Sequence, residues 1–450
     1  MLQRKAYEHL VKWKNTPDKK ALLITGARQI GKTYIIRKFA EENYSNFIEI
    51  NFITNPDAAK IFEGDLNAET ILINLTAYTQ KPLVKGDTLI FFDEIQECPS
   101  ARTAIKFLVD DGQFDYIESG SLLGVRYKEV KSYPVGYEEN YRMYPLDFEE
   151  FATANGIQPQ TIEYLMKCYD NKETVTEAVH QSLLKLFQYY IIVGGMPAVV
   201  QKFVDTKDIG EVLKIQKDIL DLYRQDISKY SDNNKEKIKS IFDLIPAQLN
   251  DRNRRFTLSD IKNSARMLRY ETSFNWLADA GVALPCYNIT EPVLPLELNL
   301  QNNLFKLFLC DTGLLCAASM GNIQFDILSG DLSVNMGSIL ENVFAQELVS
   351  NGFLLRYFNK KNIGEIDFIV QKGKSAVPIE IKSGNDYTKH KALDNLIAKQ
   401  SWNINSGIVF CKGNLEIENG ITYYPWYMSM FFKQETLPEH LKVNVDIVNI

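Results

Sequence analysis

Residues Gly26-Ala27-Arg28-Gln29-Ile30-Gly31-Lys32-Thr33 fit the pattern G-x-x-x-x-G-K-[ST] in full. Gly26 and Gly31 would let the backbone N–H groups of Ala27, Arg28, Gln29 and Ile30 curl around anionic oxygens with no Cβ in the way. A helix starting near Lys32 would add its positive end. Lys32 would reach the β- and γ-phosphates, and the Thr33 hydroxyl would ligate Mg²⁺. The chemistry this predicts is binding of ATP with Mg²⁺.

A second group follows in Thr88-Leu-Ile-Phe-Phe-Asp93-Glu94. An apolar strand would deliver two carboxylates at its carboxyl end, where ligands bind in open α/β sheets. Asp93 is expected to hold Mg²⁺ and Glu94 to orient an attacking water, a pairing that favours ATP hydrolysis over storage. The next strand ends Ser119-Gly120-Ser121. A γ-phosphate sensor and a plain turn are equally open readings there.

A third group lies near the carboxyl terminus. Gly364-Glu365-Ile366-Asp367 leads to Val377-Pro378-Ile379-Glu380-Ile381-Lys382. In a strand, residues two apart share a face, so Glu380 and Lys382 point together while Ile379 and Ile381 pack behind. Asp367, on the paired strand, can face the same pocket. Two carboxylates can bind Mg²⁺, and the lysine can position a water beside it. A charged strand pair joined by a surface salt bridge is the plainer reading.

The elements that must position these groups are legible in the apolar patterning. A helix is expected at about 3–14, strands at 21–25, 47–52, 88–92 and 115–118, and a helix at about 32–42. This alternation predicts a mainly parallel sheet covered by helices. Residues 150–245 lose the strand rhythm and read as helical. A helix at Ser259–Asn263, a helix at Ala265–Ala280 and a strand at Val282–Ile289 outline a winged helix-turn-helix. Residues from 335 onward read as helix 337–350, strands 353–358, 363–371 and 375–383, helix 389–400 and strand 407–411, an order αβββαβ.

With 450 residues, the chain is long enough for about three domains. Hydrophobic residues make up 45% and charged residues 24%, which excludes a largely disordered chain or a fibre. The net charge of 50 − 57 = −7 excludes a histone-like binder, so any nucleic-acid contact must be local. Such a patch exists at 224–270, where 11 Lys/Arg face 6 Asp/Glu, a local +5 that includes Arg252, Arg254, Arg255, Arg266 and Arg269. A solvated helical face is the alternative to a phosphate-contacting surface. The six cysteines never form CxxC and the four histidines never form HxxxH, which argues against zinc and for a reducing compartment. No segment reads as a signal peptide or a membrane span. A cytoplasmic protein with no membrane contact is expected.

The phosphate-loop motifs resemble the AAA superfamily of P-loop ATPases, in particular a bacterial and archaeal group with a C-terminal domain of unknown function. Tyr144-Pro-Leu-Asp-Phe-Glu-Glu-Phe151 is similar to the segment that closes the ATPase core in that group. Tyr190-Ile-Ile-Val-Gly-Gly-Met-Pro197 and Leu309-Cys-Asp311-Thr-Gly313-Leu314 are similar to its later segments. The resemblance implies assembly with further copies into a homo-oligomer. Many relatives have Gly-Arg before the closing segment where this chain has Gly136-Tyr137, so the arginine finger is unassigned. Arg126 and Arg142 are the nearby candidates.

The C-terminal carboxylates resemble the D-x(n)-[D/E]-x-K pattern of restriction-endonuclease-like nucleases. That resemblance adds Glu341 as a metal ligand beside Asp367 and Glu380, and makes Lys382 the water-activating residue. DNA is then expected as partner in preference to RNA. A nuclease fold retained for binding without cutting is the other reading. The expected architecture is α/β: an AAA-type P-loop domain over 1–152, a helical lid with a winged-helix unit over 153–300, and a restriction-endonuclease-like domain over 301–450.

Overall fold

The computed structural model describes residues 2–121, 134–230, 234–251, 255–257, 270–319 and 336–435. Strands β1 (Ala21–Thr25), β2 (Asn46–Asn51), β3 (Thr88–Asp93), β4 (Asp115–Gly120) and β5 (Glu138–Arg142) form one sheet. Their order is β2-β3-β4-β1-β5, and every neighbouring pair is parallel. Parallel neighbours require crossovers, and helices Lys32–Asn43, Ala68–Thr79 and Pro99–Asp111 supply three of them.

Side-chain alternation sorts the core into two layers. Leu22, Ile24, Phe91 and Ile117 pack with Leu10, Trp13, Ile36 and Phe39 of the helices Lys5–Lys14 and Lys32–Asn43. Leu23, Ile90, Phe92 and Tyr116 pack on the other face with Leu75, Ala101, Ile105 and Leu108. The carboxyl ends of the central strands consequently open toward Gly26, Glu94 and Ser121.

The middle region is helical from Phe148 to Asn250 within the described residues, as the lost strand rhythm predicts. Of the expected helix-turn-helix, Glu271–Asp279 is the described part of the second helix. The first helix lies outside the described residues, as do Arg126, Arg252, Arg254, Arg266 and Arg269. The expected wing strand is β6 (Ala283–Ile289), antiparallel to β7 (Leu300–Leu309). The pair does not end there, because β8 (Arg356–Lys360) joins β6 in parallel and β9 (Gly364–Ile366) follows, giving the order β7-β6-β8-β9. This sheet runs across the boundary expected at residue 300.

Helix Met336–Ser350 precedes β8, and its buried face is nearly continuous. The single strand expected over 363–371 is two strands, β9 and β10 (Phe368–Lys372), broken at Asp367. β10 pairs antiparallel with β11 (Ser375–Ile381), and β11 runs parallel to β12 (Gly407–Cys411). β13 (Glu416–Glu418) and β14 (Ile421–Pro425) complete the order β10-β11-β12-β14-β13. Helix Lys391–Ile397 lies between β11 and β12. The expected order αβββαβ is therefore altered by one extra strand, and β8 and β9 lie in the neighbouring sheet.

Candidate functional site

The loop between β1 and helix Lys32–Asn43 takes a path that needs its glycines. Gly26 has φ +134°, and a Cβ there would stand 2.2 Å from the Met143 carbonyl oxygen. Gly31 has φ +85° and precedes the helix. Gln29 is exposed in the left-handed region, whereas Ala27 and Ile30 are buried and anchor the loop in the core. The Lys32 ammonium is folded onto the loop, donating to the carbonyls of Gly26 at 2.9 Å and Ala27 at 2.8 Å. Burial pushes its pKa down to about 8, against the opposing pull of Glu94 and Asp93. A buried ammonium satisfied only by carbonyls is well placed to turn toward a polyanion.

Asp93, 3% exposed, is the hub of this end of the sheet. It accepts from Thr33 Oγ1 at 3.1 Å, Asn51 Nδ2 at 2.8 Å and the Glu94 amide at 3.1 Å, and also from the Ser119 hydroxyl. Glu94 has a left-handed backbone, φ 55° and ψ 47°, which turns its side chain away from the strand line. Its carboxylate accepts from Gln96 Nε2 at 2.5 Å and lies 3.5 Å from Ser121 Oγ. Both serines left open between sensor and turn therefore touch the acidic pair. The Thr33 hydroxyl beside a buried carboxylate is an oxygen donor set suited to Mg²⁺.

The helical region closes on this loop. Arg28 forms a 2.5 Å ion pair with Asp226 of helix Ile209–Tyr230, and its Nε lies 3.3 Å from Ser121 Oγ. Tyr223 of the same helix donates to the Arg28 carbonyl at 3.0 Å. A Cβ on Gly281, just before β6, would stand 2.8 Å from the Ala27 amide nitrogen, so the loop touches the start of the second sheet. Of the two arginine candidates, Arg142 ends β5 next to Thr25 and donates to the Ala278 carbonyl at 2.8 Å. Asp226 and Tyr223 were not singled out from sequence, since nothing local marks a carboxylate 198 positions from its partner.

The later motifs meet in a buried joint. Asp311 accepts from the Gly195 amide at 2.6 Å and the Leu314 amide at 2.9 Å. Burial raises its pKa to about 6, partly offset by these amides. A Cβ on Gly195 would stand 2.0 Å from the Leu146 carbonyl oxygen, and one on Gly313 2.3 Å from that of Val193. Asp147 and Glu150 form a capping box on helix Phe148–Ala154, and Arg4 holds Glu150 at 3.2 Å while donating to Ile30 O at 3.1 Å. Glu347 accepts from the Phe148 amide at 2.9 Å and lies 2.8 Å from the Tyr190 hydroxyl. Those motifs hold the sheet domain against the C-terminal part, and Pro197, at the end of one of them, also lies against the phosphate loop at Gly31.

At the C-terminal site the register sets Asp367 next to Glu380, one step beyond the Phe368–Ile379 pair. Asp367 accepts from the Ile381 amide at 2.8 Å. Glu380 is 3.5 Å from Lys382 Nζ. Burial first, and then the Asp367 charge, raise the Glu380 pKa to about 8 against the opposing pull of Lys382. Asp367, Glu380 and Lys382 are thus together, as the spacing predicts. Glu341 is not grouped with them: it is fully buried and lies 3.0 Å from Lys306 Nζ. Among the described residues, no three His, Cys, Asp or Glu side chains are arranged to hold a metal ion.

Residues 18–152 match a family described as an AAA domain. The N-terminal unit is an AAA-type P-loop domain. Residues 184–324 and 336–428 match two families described as domains of unknown function, DUF8612 and DUF4143. No curated protein matches the chain. Among solved structures, the chain is similar to the Walker-type ATPase of Pyrococcus abyssi at 13% identity, covering 71% of this chain and 96% of that one with a TM-score of 0.40. It is similar to the RuvB Holliday junction branch migration motor of Thermotoga maritima at 14% identity, 63% and 89% coverage and a TM-score of 0.30. The Orc1 protein of Aeropyrum pernix in complex with DNA gives 13% identity, 74% and 93% coverage and a TM-score of 0.26. Among the described residues, no helix of the AAA-type domain or of the rest of the chain is long and apolar enough to cross a membrane.

Proposed function

We propose that this chain is a cytoplasmic ATP hydrolase whose nucleotide state governs nucleic-acid binding or cleavage by its C-terminal part, with DNA as the preferred partner over RNA. The observation that carries the first half is the group at the mouth of the phosphate loop, buried Lys32 and Asp93 with half-buried Thr33 hydrogen-bonded to Asp93. Ala27, Arg28, Gln29 and Ile30 present backbone amides to the phosphates, Lys32 leaves its two carbonyls for the phosphate oxygens, and Glu94 orients the attacking water. Mg²⁺, held by Thr33 and Asp93, would screen phosphate charge.

The second half rests on Asp367, Glu380 and Lys382. The two carboxylates would hold a divalent cation and Lys382 would position a water for phosphodiester attack. The loop's contacts with Asp226 and Gly281 supply a physical route from nucleotide to the C-terminal sheets. Assembly with further copies is part of this reading, since Arg142 is engaged by the Ala278 carbonyl and a neighbouring copy could supply the arginine finger.

A second reading is a nucleotide-dependent switch or scaffold whose C-terminal fold binds without cutting. The engagement of Glu341 by Lys306 favours it, because a carboxylate expected to hold metal is already neutralised. The deciding experiment incubates the full chain with labelled single- and double-stranded DNA and RNA, with Mg²⁺ or Mn²⁺, with and without ATP. Cleavage lost in Lys382→Ala establishes the hydrolase-nuclease reading, and its loss in Lys32→Ala shows coupling. ATP turnover without cleavage under every condition selects the switch.

A further inference from the structure

Lys306 is the most deeply buried cation near the C-terminal carboxylates, with its side chain wholly shielded from solvent. It lies on β7, outside the element order that the sequence assigns to the C-terminal domain. Its Nζ is 3.0 Å from Glu341 Oε2 and 2.7 Å from Glu365 Oε1, and it stands 5.1 Å from the Tyr357 ring centroid. Burying an ammonium costs several kcal/mol unless ion pairs of good geometry offset it, and here two carboxylates and an aromatic face do so. Glu365 also accepts from Asn359 Nδ2 at 2.5 Å, which fixes it on β9 two residues before Asp367.

The result is a chain of charges, Glu341–Lys306–Glu365, that ties helix Met336–Ser350 to β7 and β9. It ends beside the strand break that carries Asp367. A divalent ion on Glu341 would sit at ion-pair distance from this ammonium, where like charges repel strongly in a buried setting. The cation that reaches Glu380, Lys382 at 3.5 Å, differs from Lys306 in being 26% exposed, so it can turn toward solvent when an ion enters.

We infer that the C-terminal site is built for a single divalent cation on Asp367 and Glu380, and that Lys306 is a tethered positive charge standing where Glu341 and Glu365 would otherwise recruit a further ion. This rests on the reading that the Asp367–Glu380 pair holds a metal. Glu341 is then a counter-ion of Lys306 and not a ligand.

The test titrates the nucleotide-free full chain with Mn²⁺ alone, followed by calorimetry and by the Mn²⁺ electron paramagnetic resonance signal. The parent is expected to bind one ion that Asp367→Asn abolishes. Glu341→Gln should keep that ion with its Kd changed by no more than about threefold, whereas loss of a ligand or its direct support costs ten- to a hundredfold. If Glu341→Gln does not fold, the paired variant Lys306→Met with Glu341→Met removes both buried charges together and carries the same expectation. Loss of the ion in a folded Glu341 variant, or a second Asp367-dependent ion in the parent, overturns the inference. A parent with no Asp367-dependent ion instead refutes the metal reading of the pair, and the inference falls with it.

Discussion

Glu347 offers a sharp test of the joint between the sheet domain and the C-terminal part. Its carboxyl is fully buried, and burial together with the nearby Asp147 charge raises its pKa from 4.5 to about 8. The folded state therefore holds a proton that the unfolded chain releases above pH 4.5. Stability from this group is fully present below that value and is lost as pH rises toward 8. A rise from 4.5 to about 8 corresponds to about 5 kcal/mol at most, and to about 3 kcal/mol where relaxation absorbs part of it. Glu347→Gln keeps an oxygen for the Phe148 amide and the Tyr190 hydroxyl, and presents its amide toward Ser429 Oγ, now 3.4 Å from Glu347 Oε2. The variant should match the parent near pH 4.5 and exceed it near pH 8 by about 3–5 kcal/mol. Urea unfolding followed by tryptophan fluorescence, with buried Trp426 as a reporter, measures this at each pH. Equal pH slopes for parent and variant, or a less stable variant at pH 8, would refute the reasoning.

Four further outcomes are expected. Lys32→Ala should weaken ATP binding at least about tenfold and end phosphate release, and Glu94→Gln should keep binding while slowing turnover by roughly a hundredfold or more; equal turnover in either variant counts against the site. Gly195→Ala would put a methyl 2.0 Å from the Leu146 carbonyl, so it should lower the thermal midpoint sharply or prevent soluble accumulation, and an unchanged midpoint would contradict the close approach. Asp226→Asn should release Arg28 and raise amide exchange in helix Ile209–Tyr230 with helix content unchanged, measured by hydrogen-exchange mass spectrometry.

The phosphate loop and the strand ending at Asp93 were legible because their information is local. A fixed pattern of glycines, lysine and threonine between an apolar strand and a helix needs no distant partner to be read. The same holds for Asp367, Glu380 and Lys382, whose alternation puts them on one face as soon as the strands pair. The winged-helix outline was less secure for a physical reason. The β6–β7 pair has the periodicity of a wing, but periodicity does not say what continues a sheet edge, and β8 from 67 residues beyond the end of β6 does so (356 − 289).

The sequence by itself determined the AAA-type core, its phosphate-loop pattern and the carboxylate pair of the C-terminal part, because strand and helix periods and short motifs act within a few residues. Only the tertiary structure decided that the glycine-rich later motifs are a joint, that Asp226 grips Arg28, and that Lys306 takes Glu341. Those are meetings of charges and backbone groups far apart along the chain, brought together by burial, where an unpaired ion is costly enough to select its partner.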